Sequence, residues 1–248
     1  MAEPIRLSFV VPAYNEEALL PSCLRAIQAE IARAGAHAEI VVVDNASTDR
    51  TSAVAREFAG VTVVHEARKG LVQARKAGFE ATTGVLVANI DADTLLPTGW
   101  IDRVEEEFAK DPALVTVSGP YDYYDVPFRI RAAARIFYIV GFGTYSFNRY
   151  VLRVGSMVQG GNFVLKRESL IKAGGFDASF TFYGEDTDIA RRMAQVGKVK
   201  FTWKLMAKSS GRRLQGDGLL MTGLRYSSNY LWATFFRKPF TSAWQDYR

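Results

Sequence analysis

Cysteine is nearly absent, with Cys23 alone among 248 residues. One thiol allows no internal disulfide and no cysteine-based metal cluster, so nothing asks for an oxidising compartment and a cytosolic setting is expected. Histidine is almost as scarce, limited to His37 and His65. The glycine-rich turn that a dinucleotide-binding dehydrogenase places after its first strand is missing, and Pro12 and Tyr14 stand there instead. No long apolar run exists either. The most apolar stretch, 132–152, keeps its uncharged part between Arg135 and Arg149. That is shorter than the ~20 residues a bilayer-spanning helix needs, and Gly141 and Gly143 are expected to interrupt it. The first residues, "MAEPIRLSFVVPAYNEE", lack an apolar core behind a basic start and read as a strand, not as a leader. Repeats, low-complexity segments and linker-like runs are absent as well.

What remains is 48% hydrophobic and 23% charged, enough apolar material for a folded unit of this size. One domain over 1–248 is expected, in three parts: 1–120, 121–204 and an amphipathic tail, 205–248. The net charge of +5 and a pI near 9.3 favour anionic partners such as phosphates or anionic lipid; nucleic acid is not among the expected partners.

Five short runs, "LSFVV" (7–11), "EIVVVD" (39–44), "VTVVHE" (61–66), "VLVANI" (85–90) and "LVTVSG" (114–119), are β-branched and apolar at consecutive positions. Both faces of such strands are buried, as in a parallel sheet covered by helices. Between the first two, Leu20, Leu24, Ile27 and Ile31 recur at helical spacing and Gly35 marks the stop. After the second, Ser47, Thr48 and Asp49 offer capping side chains to a helix through Val54 and Phe58. Further helices fit "GLVQARKAGFEAT" and "GWIDRVEEEFAKD". The alternation defines an α/β class, a doubly wound, mostly parallel sheet, with a smaller mixed region after residue 120. There, helix-like "SLIKAGGFD" and "GEDTDIARRMAQVG" precede a last strand-like "KVKFTW", and the tail beyond 204 shows no strand pattern.

Open parallel sheets bind ligands at the carboxyl ends of their strands. Strand one ends in "PAYNEE", strand two in "DNASTD" and strand four in "DAD", so three polar clusters converge on one edge. In order and with these gaps, "VVPAYNEE", "VVVDNASTDRT", "KGLVQARKAG", "NIDADTLLP" and "GGFDASFTFYGEDTDIARR" resemble the family 2 glycosyltransferases of GT-A fold. The similarity spans about residues 7 to 204. An Asp-x-Asp arises by chance about once in a chain this long, and a second one, Asp186-Thr-Asp188, is indeed present. Position separates the two: the first ends a buried strand and the second opens a helix.

The resemblance implies an inverting, non-processive transfer of one sugar from a nucleotide-diphosphate sugar to an acceptor hydroxyl. Two like charges at a strand end become tolerable when a dication and a diphosphate complete the site, and hard oxygen ligands suit Mg²⁺ or Mn²⁺. Asp93 is implied as metal ligand, and Asp91 as the group contacting ribose or the ion. Asp44 would meet the base, with Pro12, Ala13, Tyr14 and Glu16 lining base and ribose. An acidic acceptor suits a uracil imide and so favours UDP, although guanine also offers ring N–H groups. Arg75 and the Arg68–Lys69 pair are candidates for the phosphates, Arg68 reading better as a solvated charge. Asp186 is the candidate general base, with Glu185, Gly161 and Asn162 on the acceptor side; Glu185 or Asp188 can equally serve as helix caps, and Gly160-Gly161-Asn162 as a turn. The chain departs from the family twice. It lacks the Gln-x-x-Arg-Trp run of processive members, and in place of a late metal-binding His it carries "AKSSGRRLQG", where Ser209, Ser210 or water would substitute and Arg212 or Arg213 would hold the diphosphate. A catalytically silent nucleotide-sugar-binding subunit is the alternative. A glycoside hydrolase fits poorly, because Asp91 and Asp93 are too close in sequence to flank a sugar.

Arginines 129, 131 and 135 alternate with Phe128, Ile136, Phe137, Tyr138 and Ile139, and "RYSSNYLWATFFRKPF" echoes the mixture near the end. Such a stretch suits an interfacial helix on the cytoplasmic face of a membrane, with a lipid-linked acceptor, and suits a helix packed on the domain equally well.

Overall fold

The computed structural model describes residues 6–151, 157–177 and 184–216, together with 218, 221–224, 227–229 and 232. Much of "RYSSNYLWATFFRKPF", and the stretch before Gly184 in the "GGFDASFTFYGEDTD" segment, therefore lie outside the described residues.

The first half alternates as its sequence pattern requires: β1 (Leu7–Ala13), α1 (Leu20–Ala34), β2 (Ala38–Asp44), α2 (Thr51–Arg56), β3 (Val61–His65), α3 (Leu71–Glu80) and β4 (Leu86–Ile90). A short β5 (Thr94–Leu95) precedes α4 (Trp100–Lys110), β6 (Leu114–Ser118) and β7 (Tyr121–Tyr123). Then follow α5 (Phe128–Tyr150), β8 (Asn162–Lys166), α6 (Arg167–Lys172), α7 (Glu185–Val196), β9 (Lys198–Phe201), a 3₁₀ turn at Trp203–Leu205, β10 (Ala207–Ser209) and α8 (Arg212–Gly216).

Seven strands form one sheet in the order β3-β2-β1-β4-β8-β6-β9. All seven residues of β1 are buried because the strand feeds two cores. Phe9, Val11 and Ala13 pack with Leu20, Leu24 and Ile27 of α1 and Trp100, Ile101 and Val104 of α4. Val10 joins Val41, Val43 and Val87 against Ala74 of α3 and Ile189, Ala190 and Met193 of α7. Helices on both faces thus explain the consecutive apolar residues. The α1 stop is also as expected: Gly35, at φ +59, ends the helix, and the Ala36 N–H donates to the Ile31 carbonyl.

The sheet is mostly parallel, as expected, with β8 running antiparallel between β4 and β6 and separating the fourth and fifth sequence-predicted strands. Three expectations change. β3 is only partly buried, because it is the edge strand. Gly141 and Gly143 do not interrupt a helix: α5 runs through both for 23 residues, since a glycine costs only about 1 kcal/mol in a helix interior. The segment after 204 contributes β10, which pairs antiparallel with β5 and parallel with β7 in a second small sheet. These strands have two or three residues, too few for alternation to be visible in the sequence. Among the described residues no helix is long and apolar enough to cross a membrane.

Candidate active site

At the carboxyl edge of β1, β2 and β4 the loops are tied together before any ligand is considered. Asn15, at φ +50, accepts from the Thr48 N–H at 2.8 Å and donates its own N–H to Ser47 Oγ at 3.0 Å. The Glu16 N–H donates to Thr51 Oγ1 at 2.7 Å, the Glu17 N–H to Asp49 at 3.1 Å, and the Arg50 N–H to Glu17 at 2.9 Å. Ser47 and Thr48 thus join the first two loops, and of the three expected caps only Asp49 meets the start of α2, accepting from the Thr51 N–H at 2.9 Å.

Beside these loops lies a cavity of about 450 Å³. Its polar wall carries Pro12, Glu16, Arg75, Asp91 and Asp93, then Glu185 and Asp186 with Gly160, and Ser209 to Arg213. Its apolar wall comes from Ala134, Phe137, Tyr138, Val140 and Gly141 of α5, with Met157, Val158 and Phe201. The two aspartate motifs, separated by about ninety residues of sequence, therefore face one space.

Asp91 sits one residue beyond β4. Its carboxylate accepts from the Tyr121 hydroxyl and from Arg75 Nη2, both at 3.4 Å, and its N–H donates to the Gly161 carbonyl at 3.2 Å. Gly161, at φ +79, has no room for a side chain, because a Cβ would overlap the Asp91 carboxylate. Asp93 accepts from Ser209 Oγ at 3.3 Å and from Arg212 Nη2 at 3.2 Å, and the same Arg212 nitrogen also bonds Glu16. Burial, then the charge of Asp91, pushes the Asp93 carboxyl up to about 7 despite Arg212. The loop bearing Ser209 and Arg212 is anchored by Asp125, which accepts from Ser210 Oγ and the Gly211 N–H, both at 2.5 Å.

Glu185 and Asp186 open α7 behind Gly184, whose φ of +80 marks the entry to the helix. Asp186 accepts from its neighbour's backbone, the Thr187 N–H, at 2.8 Å. Burial raises its carboxyl above the ordinary range, against the Thr187 hydrogen bond and the charge of Arg75. Glu185 is buried against Arg75, and burial together with Asp186 and Asp91 pushes it up to about 7. Asp188 points elsewhere, binding Arg191 and Arg192 at 2.7 Å each, while Arg192 ties α7 to the Ala173 and Gly175 carbonyls after α6.

Not every expected residue reaches the cavity. Asn162, expected on the acceptor side, has a fully buried amide. It donates to the Gly119 and Leu205 carbonyls at 3.0 and 2.8 Å and accepts from Trp100 Nε1 at 3.2 Å, so no group is left for a ligand. Gly161 touches Asp91 and not the open space. Asp44 ends β2 and is not among the residues lining the cavity; it accepts from the Ser47 N–H at 3.1 Å, with His65 Nδ1 at 3.3 Å. Tyr14 and Ala13 share that strand-end edge, and Lys69 Nζ lies 3.7 Å from the Tyr14 ring centre. Arg68 pairs with Glu66 at 2.8 Å and is mostly exposed. Tyr121 and Asp125 are site residues that the sequence reading misses. They lie in the aromatic run after β6, and nothing in their spacing separates a ligand contact from a packing aromatic.

By donor type a divalent ion fits the Asp91–Asp93 corner, where the oxygen groups are two carboxylates and the Tyr121 and Ser209 hydroxyls, although the Arg75 and Arg212 guanidinium groups already contact those carboxylates. Among the described residues no group of three or more His, Cys, Asp or Glu is arranged to hold a metal unaided. The remaining ligands of an ion here would come from substrate and water.

An α/β sheet with this order and paired aspartate motifs at its ligand edge is the GT-A fold, and the solved structures of similar shape agree. The mannosyltransferase PcManGT from Pyrobaculum calidifontis, in complex with GDP-Man and Mn²⁺, superposes with a TM-score of 0.65 at 24% identity over 89% of this chain and 63% of its own. Glucosyl-3-phosphoglycerate synthase from Mycobacterium tuberculosis, in complex with phosphoglyceric acid, gives 0.63 at 21% over 94% and 79%. Residues 8–174 match the model of glycosyl transferase family 2, and the chain belongs to that family. Among curated relatives, undecaprenyl-phosphate 4-deoxy-4-formamido-L-arabinose transferase of Pseudomonas aeruginosa is 40% identical over 114 residues, 43% of this chain and 34% of the relative. An uncharacterised glycosyltransferase of Mycobacterium bovis is 42% identical over 110 residues, 44% of this chain and 47% of the relative. The matched stretch is thus between a third and a half of the length of these relatives.

Proposed function

We propose that the protein transfers one sugar from a nucleotide-diphosphate sugar to an acceptor hydroxyl with inversion, with Asp186 as general base. The observation that carries this reading is the meeting of the Asp91–Asp93 and Glu185–Asp186 motifs in one cavity at the strand ends.

The base and ribose would lie along Pro12, Ala13, Tyr14 and Glu16, with Asp44 receiving a ring N–H. UDP is favoured and GDP is second. Asp93, with Asp91, would hold Mn²⁺ or Mg²⁺, which when bound supplies a Lewis acid for the diphosphate oxygens. Arg212, drawn between Glu16 and Asp93, together with Arg213 on the same wall, would meet the negative charge that grows on the departing diphosphate. Asp186 would take the proton from the acceptor hydroxyl as that oxygen reaches the anomeric carbon from the side opposite the leaving group. With no covalent intermediate, an α-linked donor yields a β-linkage.

The acceptor we favour is lipid-linked; the Pseudomonas relative is named for undecaprenyl-phosphate. Support comes from α5. One side of it lines the cavity, while Ile136, Ile139, Val140 and Phe147 are more than half exposed at helical spacing. Val140 belongs to both surfaces, so an apolar chain lying on α5 would lead into the cavity. With Arg129 and Arg131 near its start, α5 would rest on the cytoplasmic membrane face. A thermal-shift screen of nucleotide-diphosphate sugars with and without Mn²⁺, followed by mass spectrometry of products, tests the reading. No stabilisation by any nucleotide and no product would overturn it, whereas binding without product would favour the silent subunit.

A further inference from the structure

Arg75 is a sequence candidate for the phosphates, yet its surroundings fit a different task. The side chain has no exposed surface and is among the largest fully buried groups of the chain. Nη1 bonds Glu185 Oε1, Nη2 lies 3.4 Å from Asp91 Oδ1, and the guanidinium carbon is 5.3 Å from the Phe163 ring centre. One buried cation on α3 thus joins the acid after β4 to the acid at the start of α7. The turn before β8 is shaped around this bridge. A Cβ on Gly160 would sit 3.5 Å from Glu185 Oε1, 3.6 Å from Arg75 Nη2 and 3.7 Å from Asp186 Oδ2, and Gly161 abuts Asp91. Two adjacent glycines therefore pack against both acidic motifs and the arginine between them.

On the glycosyl-transfer reading, we propose that Arg75 is a positioning residue that locks the donor-side carboxylate Asp91 to the Glu185–Asp186 motif across the Gly160–Gly161 turn, and is not a phosphate ligand. A guanidinium suits the task because its planar fork bonds two carboxylates in fixed directions, whereas an ammonium is a single point charge. Glu185 Oε2 is buried with no hydrogen-bond partner, so Arg75 carries the charge compensation of that acid. Without the bridge, Glu185 has no fixed orientation, and Asp186, the next residue on the helix, loses its placement towards the acceptor. The diphosphate, by contrast, would keep Arg212 and Arg213.

Arg75→Lys, Arg75→Gln, Glu185→Gln and the Arg75→Gln/Glu185→Gln double variant of the full chain test this, with UDP and GDP dissociation constants measured in Mn²⁺ and turnover measured with the donor found by the product screen. The expected result is a fall in kcat of ~10-fold or more in Arg75→Lys, nucleotide affinity within about threefold of wild type, and a double variant no slower than its worse single parent. A tenfold loss of nucleotide affinity with kcat kept would make Arg75 a phosphate ligand and overturn the proposal. Unchanged kcat in Arg75→Lys, or additive losses in the double variant, would overturn it as well. Should Arg75→Gln fail to fold, Arg75→Met/Glu185→Leu leaves no unpaired charge between the two positions. Retained melting and nucleotide binding with turnover lost supports the bridge, and turnover within threefold of wild type overturns it. Failure of the wild type to bind either nucleotide would instead sink the glycosyl-transfer reading, and the bridge's catalytic role with it.

Discussion

Replacing Asp93 with asparagine should stabilise the ligand-free protein at pH 8 and do progressively less as the pH falls. Asp93 is held at about 7 against an ordinary 3.8, chiefly by burial and by Asp91, against the opposing pull of Arg212. At 1.36 kcal/mol per factor of ten, holding the ionised form in the folded state costs about 4 kcal/mol at pH 8. The folded chain binds this proton more tightly than the unfolded chain does. Wild-type stability therefore falls as pH rises from about 4 to about 7 and is level above that. The amide of the Asp93→Asn variant carries no charge, so its advantage should be about 4 kcal/mol at pH 8, about 2 kcal/mol at pH 5 and below about 1 kcal/mol at pH 4. For a chain of this size each kcal/mol moves the melting temperature by about 2–4 °C. Differential scanning fluorimetry of both proteins at the three pH values reads this directly. A variant less stable than wild type at pH 8, or a difference that does not change with pH, would refute the reasoning. Adding UDP with Mn²⁺ should then narrow the gap, because only the wild type keeps the carboxylate that a dication rewards; functional sites commonly give up stability in this way.

Asp186→Asn should lower transfer by ~10²–10⁴-fold while nucleotide affinity survives, because the amide keeps the shape and cannot accept the proton; near-normal transfer by the folded variant would move the base elsewhere in the motif. Asn162→Ala should cost about 3 kcal/mol, roughly one per lost hydrogen bond, with kcat of the folded protein reduced less than about tenfold; a selective loss of acceptor use with normal melting would return Asn162 to the acceptor side. Ile136→Glu/Ile139→Glu should abolish flotation with anionic-lipid liposomes at low salt while leaving nucleotide binding intact, and a wild type that itself stays at the bottom would remove the membrane reading.

The α/β alternation was legible because burial on both faces writes itself into consecutive β-branched residues, and because helices repeat at 3.6 residues. Leu20, Leu24 and Ile27 packing under β1, with Gly35 ending the helix, needed no tertiary information to predict. The acidic clusters after β1, β2 and β4 were equally readable, because strand ends of an open sheet share one edge whatever the side chains. The direction and neighbours of β8 were not. β8 looks like any other apolar strand, and only the long excursion through α5 brings it back antiparallel between β4 and β6. The same excursion places Gly161 against Asp91 and buries the amide of Asn162, so two adjacent residues expected to serve the acceptor serve the site in different ways. Arg75 shows the division most plainly. A lone arginine on a helix reads as a solvated charge or a phosphate contact, and its pairing with Glu185, 110 positions away, exists only in three dimensions. Local sequence determines which backbone each segment prefers and which face is apolar. Which charges end up compensating one another depends on contacts between distant segments, and those the fold alone decided.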